Sequence, residues 1–180
     1  MTLVIGVGAS SRADAREIAG LIRAVLIRAV LIRAVLDRAV LDRAVLDGDR
    51  LDGAVLDRDG LRGEDVACVA TVEARAGTGG VRDAAEMLGF HLVAYPVGVL
   101  ARVAVPNPAE GVRARTGTAS VAEAAALHGA RALGGDALLV VEKRATARAT
   151  AAVARIVPTA ARAAAAPDIA GDPRITGRTR

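Results

Sequence analysis

A chain of 180 residues has room for one ordinary domain and little beyond it. It is 53% hydrophobic but only 1% aromatic, so its core must be assembled from Val, Leu, Ile and Ala, without the large burials that Phe and Trp supply. A net charge of +4 and a pI near 10.4 favour an acidic ligand, while dispersed arginines with almost no aromatic residues between them argue against nucleic acid.

Leu3-Val4-Ile5-Gly6-Val7 is a short, wholly apolar run of the kind found in buried parallel strands. It leads into Gly6-Val7-Gly8-Ala9-Ser10-Ser11, read as a turn entering a helix from about Arg12, with Ser11 as cap and Asp14 completing a capping box. From Arg23 to Asp57 the unit Arg-Ala-Val-Leu-Ile/Asp recurs every five residues. Removing residues 27–56 joins Leu26 to Asp57 and leaves an ordinary helix end and loop, so the repeat reads as an expansion grafted onto the first helix. A helix, a disordered arm and a short pentapeptide β-solenoid are all open to it. Ala, Leu and Arg are good helix formers, which favours the first.

Further strands are expected at Val66–Val72 and His91–Tyr95, and helices near Val81–Leu88 and Val121–Leu133. A hairpin is expected from Ala137–Lys143 and Thr150–Ile156. This order predicts an α/β three-layer sandwich whose mostly parallel sheet ends in an antiparallel hairpin, its first helix extended by the pentapeptide-repeat insertion. Residues 1–156 form the domain in this reading, and residues 157–180, rich in Ala, Pro, Gly and Arg, form a disordered tail.

The candidate chemistry lies in the turns. Glycines at Gly6 and Gly8, with Ser10 and Ser11, place a helix start and its unpaired N–H groups where an anion can approach. The third glycine of a dinucleotide fingerprint is missing. Gly117-Thr118-Ala119-Ser120 makes a second turn of the same kind, with Ser120 and Glu123 at capping-box spacing. That spacing makes Glu123 a helix cap first and a general base second. Asn107, between two prolines, is confined to extended backbone and either presents its amide or marks a tight crossing. Lys143, the sole lysine, falls at a strand end and is a candidate carboxylate partner; Thr71 and Glu73 belong to the strand at Val66–Val72 and its end. Cys68 reads as buried core and, being alone, excludes an intrachain disulfide and suits a reducing cytoplasm. His91 and His128 have no companions at metal-ligand spacing, so no metal and no cofactor are expected. No stretch is apolar enough for a membrane span, and the first residues lack the features of a signal peptide, so the protein is expected in the cytoplasm.

Several of these pieces together carry a family resemblance. Pro106-Asn107-Pro108-Ala109-Glu110, then Gly117-Thr118-Ala119-Ser120-Val121-Ala122-Glu123, then Leu139-Val140-Val141-Glu142-Lys143 and Ala149-Thr150-Ala151-Ala152-Val153 follow the opening glycine-serine turn and the Thr71–Glu73 strand in order. The chain thereby resembles the CobE proteins and the C-terminal domain of the CbiG proteins of cobalamin biosynthesis. The resemblance implies a precorrin or cobalt-precorrin ligand, a tetrapyrrole ring fringed with acetate and propionate groups. Gly6, Gly8, Ser10, Ser11, Thr71, Asn107, Gly117, Thr118, Ser120 and Lys143 would then bind it, and Glu73 and Glu123 are the candidate catalytic acids. CbiG proteins open the lactone ring of a cobalt-precorrin; the acidic pair that relatives often carry after Glu73 is replaced here by Arg75-Ala76-Gly77-Thr78, which weakens that reading. A binding module is therefore the first expectation, a lactone hydrolase or lyase the second, and an interaction protein recruiting partners through the repeat arm the third. Other corrin-pathway enzymes, and a second copy meeting this one through the arm, are the expected macromolecular partners; nucleic acid and membrane are not.

Overall fold

The computed structural model describes residues 2–46 (side chains to 36), 66–77, 79–109, 111, 114 and 117–157. The elements run β1 (Leu3–Ala9), α1 (Ala15–Leu46), β2 (Val66–Val72), α2 (Glu73–Ala76), α3 (Gly79–Met87), β3 (Leu92–Tyr95), α4 (Val97–Leu100), α5 (Val121–Ala132), β4 (Asp136–Ala145) and β5 (Ala149–Val157). The expected strands and longer helices are all there; the single turns α2 and α4 are too short to carry a periodic signal. The expected tail beyond Val157 lies outside the described residues.

The five strands form one sheet in the order β3-β2-β1-β5-β4. β1 pairs in parallel with β2, and β2 with β3, while β5 runs antiparallel to both β1 and β4. Four strands thus point one way and β5 alone is reversed. Two pairings are parallel and two antiparallel, so the sheet is mixed rather than mostly parallel; as expected it ends in the antiparallel β4–β5 hairpin, with β4 at the edge and β5 beside β1. The consequence for a ligand is geometric. β1, β2, β3 and β4 all end at one rim, which also receives the tip of the β4–β5 hairpin.

Period-two alternation assigns the strand residues to the two faces. Leu3, Ile5 and Val7 of β1, with Val69, Val141, Ala151 and Val153, pack beneath α1 and α3. Val4, Cys68, Ala70, Val72, Ala152 and Ala154 pack beneath α5 and Leu100. The result is three layers, helix on sheet on helix. On the α5 side the apposed residues are mostly alanine, and that allows close approach: a Cβ built on Gly6 would stand 1.8 Å from the Ala122 carbonyl oxygen. α1 contributes Ile18, Ile22, Val25 and Ala29 to the other layer, all at most 1% exposed, then runs on to Leu46 as one helix. The first turns of the repeat are therefore helical, as the propensities favoured. Among the described residues no helix is long and apolar enough to cross a membrane, since arginine recurs at every fifth position of α1.

Candidate functional site

Glu123 is the centre of the site. It lies in the first turn of α5 and is fully buried, at 0% exposure. Ser120 caps the helix, its Oγ accepting from the Glu123 N–H at 3.4 Å. The reciprocal half of a capping box is absent. Instead of turning back on its own helix, the Glu123 carboxylate reaches across: Oε1 accepts from Asn107 Nδ2 at 3.0 Å and from the Lys143 backbone N–H at 3.1 Å. Oε2 is equally buried and has no hydrogen-bond partner among the described residues. Leaving a buried polar atom unsatisfied costs on the order of 1–3 kcal/mol, so such an atom requires a reason.

The Lys143 N–H is available because β4 is irregular there. Val141 pairs with Val153 and Arg144 with Ala151, so three steps on β4 match two on β5. A bulge of this kind removes a residue from the ladder and re-aims its side chain. The released amide goes to Glu123, and the Lys143 ammonium donates from Nζ to the Asn107 carbonyl oxygen at 3.2 Å. Asn107 is thus gripped at both ends, by its amide through Glu123 and by its carbonyl through Lys143. Its flanking prolines restrict the backbone angles on either side. Three segments far apart in sequence meet at one carboxylate.

The loop into α5 is set by Gly117, whose φ of +74° is left-handed and suited to glycine. Thr118 and Ser120 follow it and are buried, at 2% and 1% exposure. The sequence-predicted residues Asn107, Gly117, Thr118, Ser120, Glu123 and Lys143 therefore do share one neighbourhood.

The other predicted residues do not join them. Gly6 and Gly8 are inside strand β1, not in a turn, and α5 covers them: a Cβ on Gly8 would fall 2.7 Å from Thr150 Oγ1 and 3.1 Å from Val121 Cβ. Their smallness serves helix-on-strand packing. Ser10 and Ser11 are exposed in the β1–α1 turn, where the Ser10 N–H donates to the Arg148 carbonyl and Ser10 Oγ accepts from the Arg12 N–H. The helix begins three residues later than expected, so its cap is Asp14 rather than Ser11, with Asp14 Oδ1 accepting from the Glu17 N–H at 2.8 Å. Thr71 is buried on the α1 side of the sheet, the face opposite Glu123, and its hydroxyl donates to the Val7 carbonyl at 2.8 Å. Glu73 is not on the strand; it opens α2, exposed at the same rim.

The rim itself carries cations that sequence reading passed over. Arg12, Arg144 and Arg148 are exposed at this end of the sheet, with Arg148 bonded through Nη1 to the Arg12 carbonyl oxygen. Of the acids there, Asp14 caps α1 and Glu17 accepts from Thr146 and from the Arg148 N–H, while Glu73 and Glu142 are exposed. The signal was in the hairpin loop, Lys143-Arg144-Ala145-Thr146-Ala147-Arg148, whose cations only the fold brings beside the β1 turn. A separate groove of about 480 Å³ between α3 and edge strand β3, lined by Arg82, Glu86, Phe90 and His91, contains none of these residues.

His128 meets the Tyr95 ring edge-on, with centroids 4.5 Å apart. Burial pushes the Cys68 thiol above its ordinary pKa; burial first, then the neighbouring Cys68, does the same to the Tyr95 phenol. A thiol shifted that way is a poor nucleophile at neutral pH.

Comparison with known proteins agrees with this architecture. Residues 51–154 match the family described as cobalamin synthesis G C-terminus. Protein CobE of Sinorhizobium sp is 40% identical over 92 residues, which are 50% of this chain and 58% of that protein. The match thus spans well under two thirds of that relative's length. The crystal structure of CobE, a protein from the cobalamin (vitamin B12) biosynthetic pathway, superposes with a TM-score of 0.55 at 25% identity, covering 87% of this chain and 91% of that one.

Proposed function

We propose that this chain, which belongs to the family described as cobalamin synthesis G C-terminus, acts in cobalamin biosynthesis by binding a precorrin or cobalt-precorrin at the rim above Glu123. The observation that carries this reading is the buried Glu123, held by Asn107 and the Lys143 N–H at the same end of the sheet that carries the exposed Arg12, Arg144 and Arg148. The rim is formed by the carboxyl ends of strands, where ligands of open α/β sheets gather. Corrin precursors carry many carboxylates on a ring, and arginine forks and a lysine ammonium match that periphery. Titrating the protein with a series of precorrins should shift their visible absorbance, with affinity falling steeply as salt rises and ligand mass unchanged. Absence of a spectral shift with every precorrin, or affinity indifferent to salt, would remove the reading.

A second reading has its own support. Glu123 is held by two donors on one oxygen and has the other unengaged, the arrangement of an oriented general base. It fits hydrolysis of a cobalt-precorrin lactone, the activity implied by the CbiG resemblance. Turnover that Glu123→Gln abolishes while binding survives would favour it; turnover lost instead in Glu73→Gln would move the base to the exposed acid.

We further read residues 27–56 as an expansion of α1 outside the ligand site. The support is that Leu26 joins Asp57 in an uninterrupted helix end and loop once they are removed. A deletion variant that folds and still shifts precorrin absorbance is the expected result.

A further inference from the structure

The rim arginines differ in how far the fold has already ordered them. Arg12 and Arg144 are exposed, with side chains that bond nothing among the described residues. Arg148 is equally exposed, yet both its backbone and its side chain are fixed. Its N–H donates to Glu17 Oε1 at 3.3 Å, and its carbonyl oxygen accepts from the Ser10 N–H at 2.8 Å. Its Nη1 donates to the Arg12 carbonyl oxygen at 3.3 Å, and the remaining donors of the guanidinium bond nothing else among the described residues. An arginine that is ordered only on binding loses rotamer freedom at that moment; one held in advance does not.

Glu17 does the holding. This half-buried acid of α1 meets the β4–β5 hairpin, where the same Oε1 accepts from the Thr146 hydroxyl, and Thr146 Oγ1 accepts in turn from the Ala149 N–H. Its charge has the sign of a polycarboxylate, so by electrostatics alone it repels such a ligand. That repulsion is screened by water and salt near the surface, whereas the positioning of Arg148 is not. We propose that Arg148 is the anchoring carboxylate fork of the rim, and that Glu17, against its own charge, is a positioning residue that strengthens binding through it. The role rests on the rim being a polycarboxylate site.

The test is an absorbance titration at low salt with uroporphyrin, a tetrapyrrole bearing acetate and propionate groups. Arg148→Ala should weaken binding about tenfold or more, and Arg12→Ala or Arg144→Ala about threefold or less. Glu17→Ala should weaken it about fivefold, while Glu17→Gln, which keeps the acceptor oxygen and drops the charge, should bind at least as tightly as the wild type. In an Arg148→Ala background, Glu17→Ala should cost nothing further, because the two act as one unit. The ranking of the arginines is read with Glu17 intact, so it decides the matter even if Glu17→Ala fails to fold. Equal losses from the three arginines, tighter binding by Glu17→Ala, or additive losses in the double variant would each overturn the proposal while leaving the rim an anion site. A wild-type chain indifferent to uroporphyrin would overturn it too, and titration with precorrins then judges the rim separately.

Discussion

Two turns of this protein look alike in sequence: Gly6 to Asp14 leading into α1, and Gly117 to Ser120 leading into α5. Each places glycine, then small hydroxyl residues, then a helix with an acid three residues beyond its cap. In the folded chain they diverge. The first is closed: α5 lies on Gly6 and Gly8, Asp14 caps α1, and the acid at the third position, Glu17, is tied to the β4–β5 hairpin. In the second, Ser120 caps α5, but Glu123 is drawn off its helix by Asn107 and a bulged strand, and its Oε2 has no partner among the described residues. A shared local motif therefore fixes the capped helix start and nothing more. What the acid does depends on which distant backbone donors the fold leaves without partners.

The comparison is most sharply broken at Gly6. Gly6→Ala puts a methyl group into the Ala122 backbone, where neither element can yield, and should destabilise the domain by about 3 kcal/mol in chemical denaturation. Gly117→Ala, by contrast, meets only a flexible Val97 methyl at 3.2 Å, so its cost should be the smaller one of a left-handed backbone, about 1 kcal/mol. Glu123→Ala strips the acceptor from Asn107 Nδ2 and the Lys143 N–H and should cost about 2 kcal/mol; amide exchange at Lys143 should rise selectively. If the Glu123 carboxylate were merely capping its own helix, that amide would keep its protection. Asp14→Ala and Ser120→Ala each remove a helix cap and should cost about 1 kcal/mol, making the two turns equal in this one respect. Smallest is Gly20→Ala within α1, with nothing near its Cβ, which should stabilise the protein by roughly 0.5–1 kcal/mol and raise Tm slightly.

Much of the architecture was legible in the chain because it rests on local physics. Apolar runs such as Leu3–Val7 and Val66–Val72 declare buried strands, helix formers fill α1 and α5, and alternation alone assigns Val69 and Thr71 to one face and Ala70 to the other. The family resemblance followed the same short pieces. Only the tertiary structure decided what those pieces touch. Thr71 binds Val7 because β2 lies beside β1, Gly6 is small because α5 crosses it, and the Ser120-x-x-Glu123 spacing is a half-made capping box because the Lys143 amide, freed by a bulge, competes for the same carboxylate. Spacing along a chain governs neighbours within a turn; a hydrogen bond to a residue 16 or 20 positions away is decided by strand order and packing, which no local pattern encodes.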